Sequence, residues 1–551
     1  MKFALHLFTK SKIKDSFLMH KPSIIRYTFI ILSALSLACC NSRPTAVPTT
    51  FAESNDSVVI YPDYRDITIP PNIAPLNFMV VDESASEFVV KMGDLICGAT
   101  ADGKLDIDTT AWRSLLAQNT GKDLEVHIYA HRSSGWIHPQ PLRWHVAEEP
   151  IDSFLSYRLI EPGYELYRQL GLYQRNLTNF TENVIYENNR EYDEENNHCV
   201  NCHNYQNYST DHMLFHVRAS HGGTIIIDGN EAHKIAIKHD SIISAGVYPS
   251  WHPTQPLIAF STNFTGQVFH MFHPEKIEVL DMSSDLLLYD VEHNSVRHIV
   301  RSSDALETFP CWSPDGRRLY YCSARCQQSM ADSTNINIVM RYDSLYYDIY
   351  SMSFDPVTRE FGKPRLEVNA SAMHKSTSVP RISPDGRYLL FALGNYGQFH
   401  IWHKSADLWV KSLSPTPDLS QQGGEKADAL SANEKEAQSL PAETDKALYP
   451  LTEANSPEAD SYHTWSSNGR WIVFASRRED AAYSRAFIAY FDREGHAHRA
   501  FLLPQRDPEH NIRLLKSYNV PELTRNAVKV STSSLNHTVY HTDAEMAKYE
   551  E

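Results

Sequence analysis

Four segments in the second half of the chain share one pattern of apolar and polar positions. In each, an apolar strand leads into a short polar turn, and a continuous apolar strand follows it. The four segments are 248–261, 309–323, 379–392 and 462–475. Two of the turns are Ser-Pro-Asp-Gly, whose residues suit the four positions of a type I turn. Each segment therefore predicts a tight β-hairpin.

The hairpins belong to longer repeating units. A further strand opens on an aspartate downstream of three of them, at Asp285, Asp348 and Asp407. Units of three to four strands, repeated along a chain, form the blades of a β-propeller. We therefore expect a mainly β protein with a propeller of about six blades over residues 214–543. A polar insertion, 414–447, interrupts it, and a tail of residues 544–551 follows.

The hairpin motif resembles the propeller repeats of TolB and its relatives, in which Pro-x-Trp-Ser-Pro-Asp-Gly precedes an apolar strand. The match is specific in the second and third segments. The first segment lacks a glycine after Pro253, and the fourth has Ser467 where the motif has proline. The resemblance implies a TolB-like propeller.

The region before the repeats carries shorter alternating runs, separated by proline and by Asp, Asn and Gly clusters. This pattern predicts a small β-rich, sandwich-like domain over residues 58–185, with one helix at 109–118. The polar run 186–197 predicts an exposed loop. It opens a segment, 186–213, that contains the most informative motif of the chain.

The first 57 residues indicate export and anchoring. Lys21 and Arg26 precede an apolar run that is too short for an ordinary spanning helix, so residues 1–38 predict a signal peptide. Leu35-Ser36-Leu37-Ala38-Cys39 resembles the lipobox of bacterial lipoproteins, which implies lipidation of Cys39 or, alternatively, Cys40. Residues 39–57 then form a flexible tether. The alternative is an ordinary cleaved secretory signal. We expect a periplasm-facing lipoprotein of the outer membrane.

The motif of the central segment is Cys199-Val-Asn-Cys202-His203, the C-x-x-C-H attachment signature of haem c. It predicts thioether bonds from Cys199 and Cys202 and an iron bond from His203 as proximal ligand. Met213 is the candidate distal ligand, and it is equally well explained as a core residue of a strand. Alternative distal ligands are His212, His216 and His221.

Other chemistry is compatible with the same cysteines. Zinc is the alternative cofactor, if two further ligands join Cys199 and Cys202, drawn from His198 and His203 or from Cys322 and Cys326. A redox-active Cys-x-x-Cys lacks the βαβ surroundings that such motifs usually have. A structural disulfide also remains open, as does a bond between Cys311, Cys322 and Cys326 in some pairing.

Charge and motifs narrow the function classes. The 551-residue chain has a formal net charge of −16, which argues against a sequence-independent nucleic-acid binder. We find no nucleophile elbow, phosphate loop or H-E-x-x-H motif, so we do not expect an enzyme of these types. The leading hypothesis is a haem c protein for periplasmic electron transfer or redox-linked partner binding. The alternative is a TolB-like, non-catalytic scaffold that binds an envelope protein.

The whole chain is similar to a family of Gram-negative lipoproteins that join a β-rich region and a C-x-x-C-H to a TolB-like propeller. Some of these are labelled cytochrome c biogenesis proteins. The segments that carry the similarity are 68–78, 199–203, 213–218 and 244–249. The similarity implies an envelope location, one haem and an unidentified protein or redox partner.

Overall fold

The structure, a computed structural model, describes residues 46–100, 102–161, 169–191, 195, 197–273, 275–326, 341–413 and 448–551. The predicted signal peptide, the lipidation candidates Cys39 and Cys40, and the predicted insertion 414–447 lie outside these residues. Within them, no helix is both long enough and apolar enough to cross a membrane.

The N-terminal domain is built on one seven-stranded sheet. Its elements are β1 (Ala52–Ser57), β2 (Ile60–Tyr61), β3 (Ile67–Ile69), β4 (Met79–Val80), β5 (Ala85–Met92), β6 (Leu95–Gly98), α1 (Thr109–Asn119), β7 (Lys122–Arg132), β8 (Gly135–Gln140) and β9 (Leu142–Val146). The sheet order is β1-β8-β7-β5-β6, with β9 joining β7 to β3, while β2 and β4 form a separate ribbon. The domain is β-rich, as the sequence predicts, but its main strands form one sheet and not the two packed sheets of a sandwich. Strand β1 lies in the predicted tether. Its residues are mostly polar and exposed, so the sequence did not mark it as a strand, although it pairs with β8 along one edge of the sheet.

Helix α1 confirms the predicted helix at 109–118. Asp108 caps it, accepting hydrogen bonds from the backbone N–H groups of Thr110 and Ala111. One face of the helix is buried against the sheet through Trp112, Leu115 and Leu116, which have the spacing of a helical stripe.

Six further sheets follow, each with four antiparallel strands that form one blade. The strands of blades 1 to 3 are β10 (Phe154–Ile160), β11 (Gly171–Asn176), β12 (Glu182–Glu187), β13 (His198–Gln206), β14 (Ser209–Ala219), β15 (Gly223–Asp228), β16 (Glu231–Ala236), β17 (Gly246–Trp251), β18 (Leu257–Phe269), β19 (Ile277–Asp290) and β20 (Ser295–Val300). Those of blades 4 to 6 are β21 (Ala305–Trp312), β22 (Arg318–Arg325), β23 (Asp348–Ser353), β24 (Arg365–Val368), β25 (Ser376–Ile382), β26 (Tyr388–Gly394), β27 (Asp407–Ser412), β28 (Leu448–Pro450), β29 (Asp460–Trp465), β30 (Trp471–Ser476), β31 (Arg485–Tyr490) and β32 (Phe501–Leu502).

The chain ends with two helices and three strands, and the described residues before them include four short 3₁₀ helices. The C-terminal elements are α2 (His510–Arg513), β33 (Ser517–Thr524), α3 (Thr532–His541), β34 (Glu545–Met546) and β35 (Lys548–Tyr549). The 3₁₀ helices are Asn188–Glu191, Tyr342–Ser344, Ser371–Met373 and His400–Trp402. Strands β34 and β35 pair with the outer strands of blades 2 and 3, so the predicted tail is held to the propeller.

Strand β33 closes the ring. It pairs with β10 and becomes the inner strand of blade 1, whose other strands are β11 and β12. Consecutive inner strands, β33, β13, β17, β21, β25 and β29, contact one another in a closed circle. The predicted six-bladed propeller is confirmed. It includes residues 154–187, which the sequence had assigned to the N-terminal domain, because these strands acquire their inner partner only from the far end of the chain.

The predicted hairpin turns are present in blades 4, 5 and 6. Gly316, Gly386 and Gly469 each close the turn in the left-handed region, at φ of 67°, 71° and 68°. The departure at Ser467 has a structural reason: its backbone N–H and its hydroxyl both donate to Asp152, at 2.7 and 2.6 Å. Proline could not provide that N–H. This contact fixes the linker from the N-terminal domain onto blade 6.

Candidate functional site

Each inner strand carries one residue in the left-handed region of backbone space. These residues are Cys202, Tyr248, Phe309, Val379, Tyr462 and Val520, with φ between 47° and 53°. The register of the strand shifts at each of them, which marks a β-bulge. A bulge re-aims a side chain, and all six of these residues line one cavity of about 1020 Å³ at the centre of the ring.

The C-x-x-C-H motif is the blade 2 form of this bulge. Cys202 takes the left-handed position, and His203 takes the next one, where four other blades have proline and blade 6 has His463. The motif lies in strand β13 and not at the end of an exposed loop, because β13 continues the repeat of the propeller. Strand β12 and a 3₁₀ helix likewise occupy part of the predicted loop 186–197.

His203 is buried in the wall between blades 1 and 2. It is 4% exposed, and burial lowers the pKa of its imidazole to about 3. Its Nε2 atom has no hydrogen-bond partner among the described residues and lies 4.0 Å from Oε2 of Glu522 in β33. A proximal haem ligand must present this nitrogen to the iron at the face of a large planar ring. In this conformation His203 presents it to a packed seam, so the site as folded does not fit a haem.

The two cysteines differ in their surroundings. Cys202 lines the central cavity. The Cys199 thiol accepts a hydrogen bond from Nδ2 of Asn201 at 3.2 Å, and burial raises its pKa. A raised thiol pKa disfavours the reactive thiolate.

The candidate distal ligands are dispersed. Met213 is fully buried in an apolar cluster with Val200, Tyr205 and residues of α3, as expected for a core residue. His212 lies near Asp228 on an outer part of blade 2, at 3.3 Å. His216 lines the cavity and shares a hydrogen bond with Thr224 at 3.1 Å.

His221, the predicted zinc ligands and the candidate disulfide cysteines do not come together as a site in the described part of the chain. His221 packs against the rings of His198 and Tyr540. No group of three or more His, Cys, Asp or Glu side chains among the described residues is arranged to hold a metal ion. The predicted zinc site therefore has no preformed ligand set there. The thiols of Cys311 and Cys322 are buried, and neither is in a disulfide.

The cavity wall combines apolar rings with cationic groups. Its charged residues are Arg158, Arg218, Lys238, Arg381 and Asp240. Four cations against one carboxylate give this cavity a charge opposite in sign to the net charge of the chain. Such a cavity favours anionic ligands.

Sequence reasoning missed the cavity and its cations. A short pattern in the inner strands could have revealed the cavity. In this pattern the bulged residue is followed by proline or histidine, and a large apolar residue lies two positions after that proline or histidine. That pattern recurs at 202–205, 248–251, 309–312, 379–382, 462–465 and 520–523. Only four of these six segments are followed by the hairpin turn from which the blades were predicted.

Comparison with known proteins gives only distant similarities. No protein-family model and no curated protein matches the chain. Similar solved structures include TolB from Acinetobacter baumannii, with 11% identity and a TM-score of 0.37, over 75% of this chain and 85% of that one. They also include a putative 6-phosphogluconolactonase from Bacteroides uniformis, with 10% identity and a TM-score of 0.30, over 77% and 98%.

Proposed function

We propose that this chain is an exported, lipid-anchored propeller of the cell envelope that holds a segment of a protein partner in its central cavity, without catalysing a reaction. One observation carries the proposal: six blades each direct one side chain from a left-handed bulge into the same cavity. Residues held in sparsely populated backbone regions concentrate at functional sites. Propellers with such a central channel suit the capture of a ligand along the axis of the ring.

Site-specific photo-crosslinking in intact cells tests this proposal. A photoreactive phenylalanine analogue at Val379, in the cavity wall, is expected to give a discrete crosslinked partner. The matched control is Val357, which is 89% exposed in the turn between β23 and β24. Crosslinking at both positions alike, or at neither, would contradict the proposal. The mass of the N-terminal peptide from the same preparation reports whether Cys39 is lipidated.

The C-x-x-C-H motif favours a second candidate, one haem c attached through Cys199 and Cys202 for periplasmic electron transfer or redox-linked binding. In this candidate His203 would have to leave the seam beside Glu522, and the fold around β13 would have to open. Attachment of haem to an unfolded, newly exported chain would make such a rearrangement part of maturation.

Haem staining decides between the two candidates. The full chain is produced together with a haem-attachment system, separated on a denaturing gel and stained for peroxidase activity. Covalent haem predicts a stained band that disappears in the double variant Cys199→Ser with Cys202→Ser. A colourless wild-type protein whose mass shows both thiols unmodified would eliminate the haem candidate.

A further inference from the structure

The residue two positions after each bulge joins neighbouring inner strands. Asn204, Ser250 and Glu522 accept hydrogen bonds from the backbone N–H groups of Trp251, Trp312 and Tyr205, at 3.0, 3.2 and 3.3 Å. The Thr464 hydroxyl donates to the carbonyl of Pro521 at 3.1 Å, and the Cys311 thiol bonds the backbone of Ile382. Each of these five residues therefore joins one blade to the next.

Arg381 differs from its counterparts, because it alone among these six residues also lines the central cavity. A guanidinium has no acceptor atoms, so it cannot accept an N–H bond as Asn204, Ser250 and Glu522 do. Its Nη1 donates to the carbonyl of its own neighbour, Pro380, at 2.9 Å, and its side chain also hydrogen-bonds the Cys311 thiol of blade 4. These partners are neutral, so they leave the positive charge of the guanidinium uncompensated.

Three of the cavity cations also lack carboxylate partners among the described residues. Among the ion pairs of the described residues, none within 4.0 Å includes Arg158, Lys238 or Arg381. Arg158 donates to the carbonyl of Val200 at 3.1 Å, to the amide oxygen of Asn519 at 2.9 Å and to the amide oxygen of Asn201, all neutral acceptors. Two guanidinium groups thus keep their positive charge uncompensated at the cavity.

The buried acid Glu522 does not neutralise Arg381. Glu522 interacts with it only at longer range, and burial raises the pKa of the Glu522 carboxyl to about 7. Guanidinium groups bind carboxylates in a bidentate, charge-assisted geometry that is much stronger than a bond to a neutral oxygen. The rest of the wall is apolar at Tyr248, Phe309 and Val379. A fitting ligand therefore combines apolar and acidic groups.

We infer that the central cavity selects an acidic, extended peptide segment, and that Arg381 binds its carboxylate. This inference rests on the proposed function and adds the chemical class of the partner segment to it. Arg381 is then the specificity-determining residue, and Arg158 contributes charge while it holds the seam between blades 1 and 2.

Fluorescence anisotropy with two peptides of equal shape tests the inference. The probes are labelled Glu-Leu-Glu-Leu-Glu and Gln-Leu-Gln-Leu-Gln, titrated with the full-length protein in detergent. We expect the acidic peptide to bind at least about tenfold more tightly, and Arg381→Gln to remove about that factor. The control is Arg143→Gln, at an exposed arginine of β9 in the N-terminal sheet, which should leave both affinities unchanged.

Two results would overturn the inference: equal binding of both peptides by the wild type, or unchanged binding of the acidic peptide by Arg381→Gln. If Arg381→Gln does not fold, Arg381→Lys replaces it, because lysine keeps the charge without the bidentate fork. Arg381→Lys is expected to bind the acidic peptide with intermediate affinity, and wild-type affinity of this variant would also overturn the inference. A crosslinked partner at Val379 together with no binding of the acidic peptide would reject the acidic class and keep the proposed function. An absent crosslink rejects the proposed function itself.

Discussion

A chain that ends at residue 516 is expected to lose its cooperative thermal unfolding transition. The deletion removes β33, which is the inner strand of blade 1 and one wall of the central cavity. It removes the inner pairing partner of β10, which keeps only β11, and it exposes the core around Leu155, because Tyr518 and Leu523 are fully buried in the same cluster. An unpaired inner strand edge also invites aggregation. Circular dichroism on heating, together with the soluble yield, measures the loss.

A shorter deletion provides the control for this result. A chain that ends at Thr542 keeps β33 and α3 and loses only β34 and β35, which are two residues long and pair with outer strands. It is expected to unfold cooperatively at a temperature close to that of the full chain. If the chain ending at residue 516 also melted sharply, the closure of the ring by β33 would not be needed for stability.

Replacing Arg485 by methionine is expected to destabilise the protein by about 3 kcal/mol or more. Arg485 is 1% exposed and donates to three backbone carbonyls, those of Lys516, Asn511 and Leu514, at 2.6 to 2.8 Å. These bonds hold the segment that leads into β33. Methionine fills a similar volume but leaves the carbonyls without donors. Urea unfolding at neutral pH measures the change in the free energy of unfolding.

Arg493→Met is the matched control, because it removes the same side chain from the surface. Arg493 is 73% exposed and pairs with Glu149 at 2.9 Å. An exposed pair of this kind is screened by solvent, so its loss is expected to lower the stability far less than the loss of the Arg485 bonds. Equal effects of the two substitutions would mean that the carbonyl bonds of Arg485 add nothing to the closure of the ring.

The sequence predicted what local geometry dictates. Ser313-Pro-Asp-Gly316 favours one turn type almost regardless of its surroundings, and the apolar strands on either side have only one way to pair. The same locality explains the confirmed helix α1, which combines the Asp108 cap with an apolar stripe. Elements whose partner is near in sequence were therefore predictable.

Elements that depend on partners distant in sequence were not predictable. Strand β33 carries no hairpin turn, and its partner β10 lies more than 350 residues earlier, so nothing local marks either as part of a blade. The role of His203 was hidden for a related reason. C-x-x-C-H has a chemical meaning of its own, and only the pairing of β13 with its neighbours places this histidine in a slot that other blades fill with proline.

The six left-handed bulges have a consequence for how this protein can evolve. A β-branched residue such as Val379 or Val520 in this backbone region costs about 1–3 kcal/mol relative to a relaxed conformation. Selection for thermal stability alone would favour glycine at such positions. Because other side chains are kept there, the ring is less stable than it could be and keeps a particular set of side chains on its inner surface. Substitutions at these six positions would change the chemistry of the cavity wall long before they changed how the propeller folds.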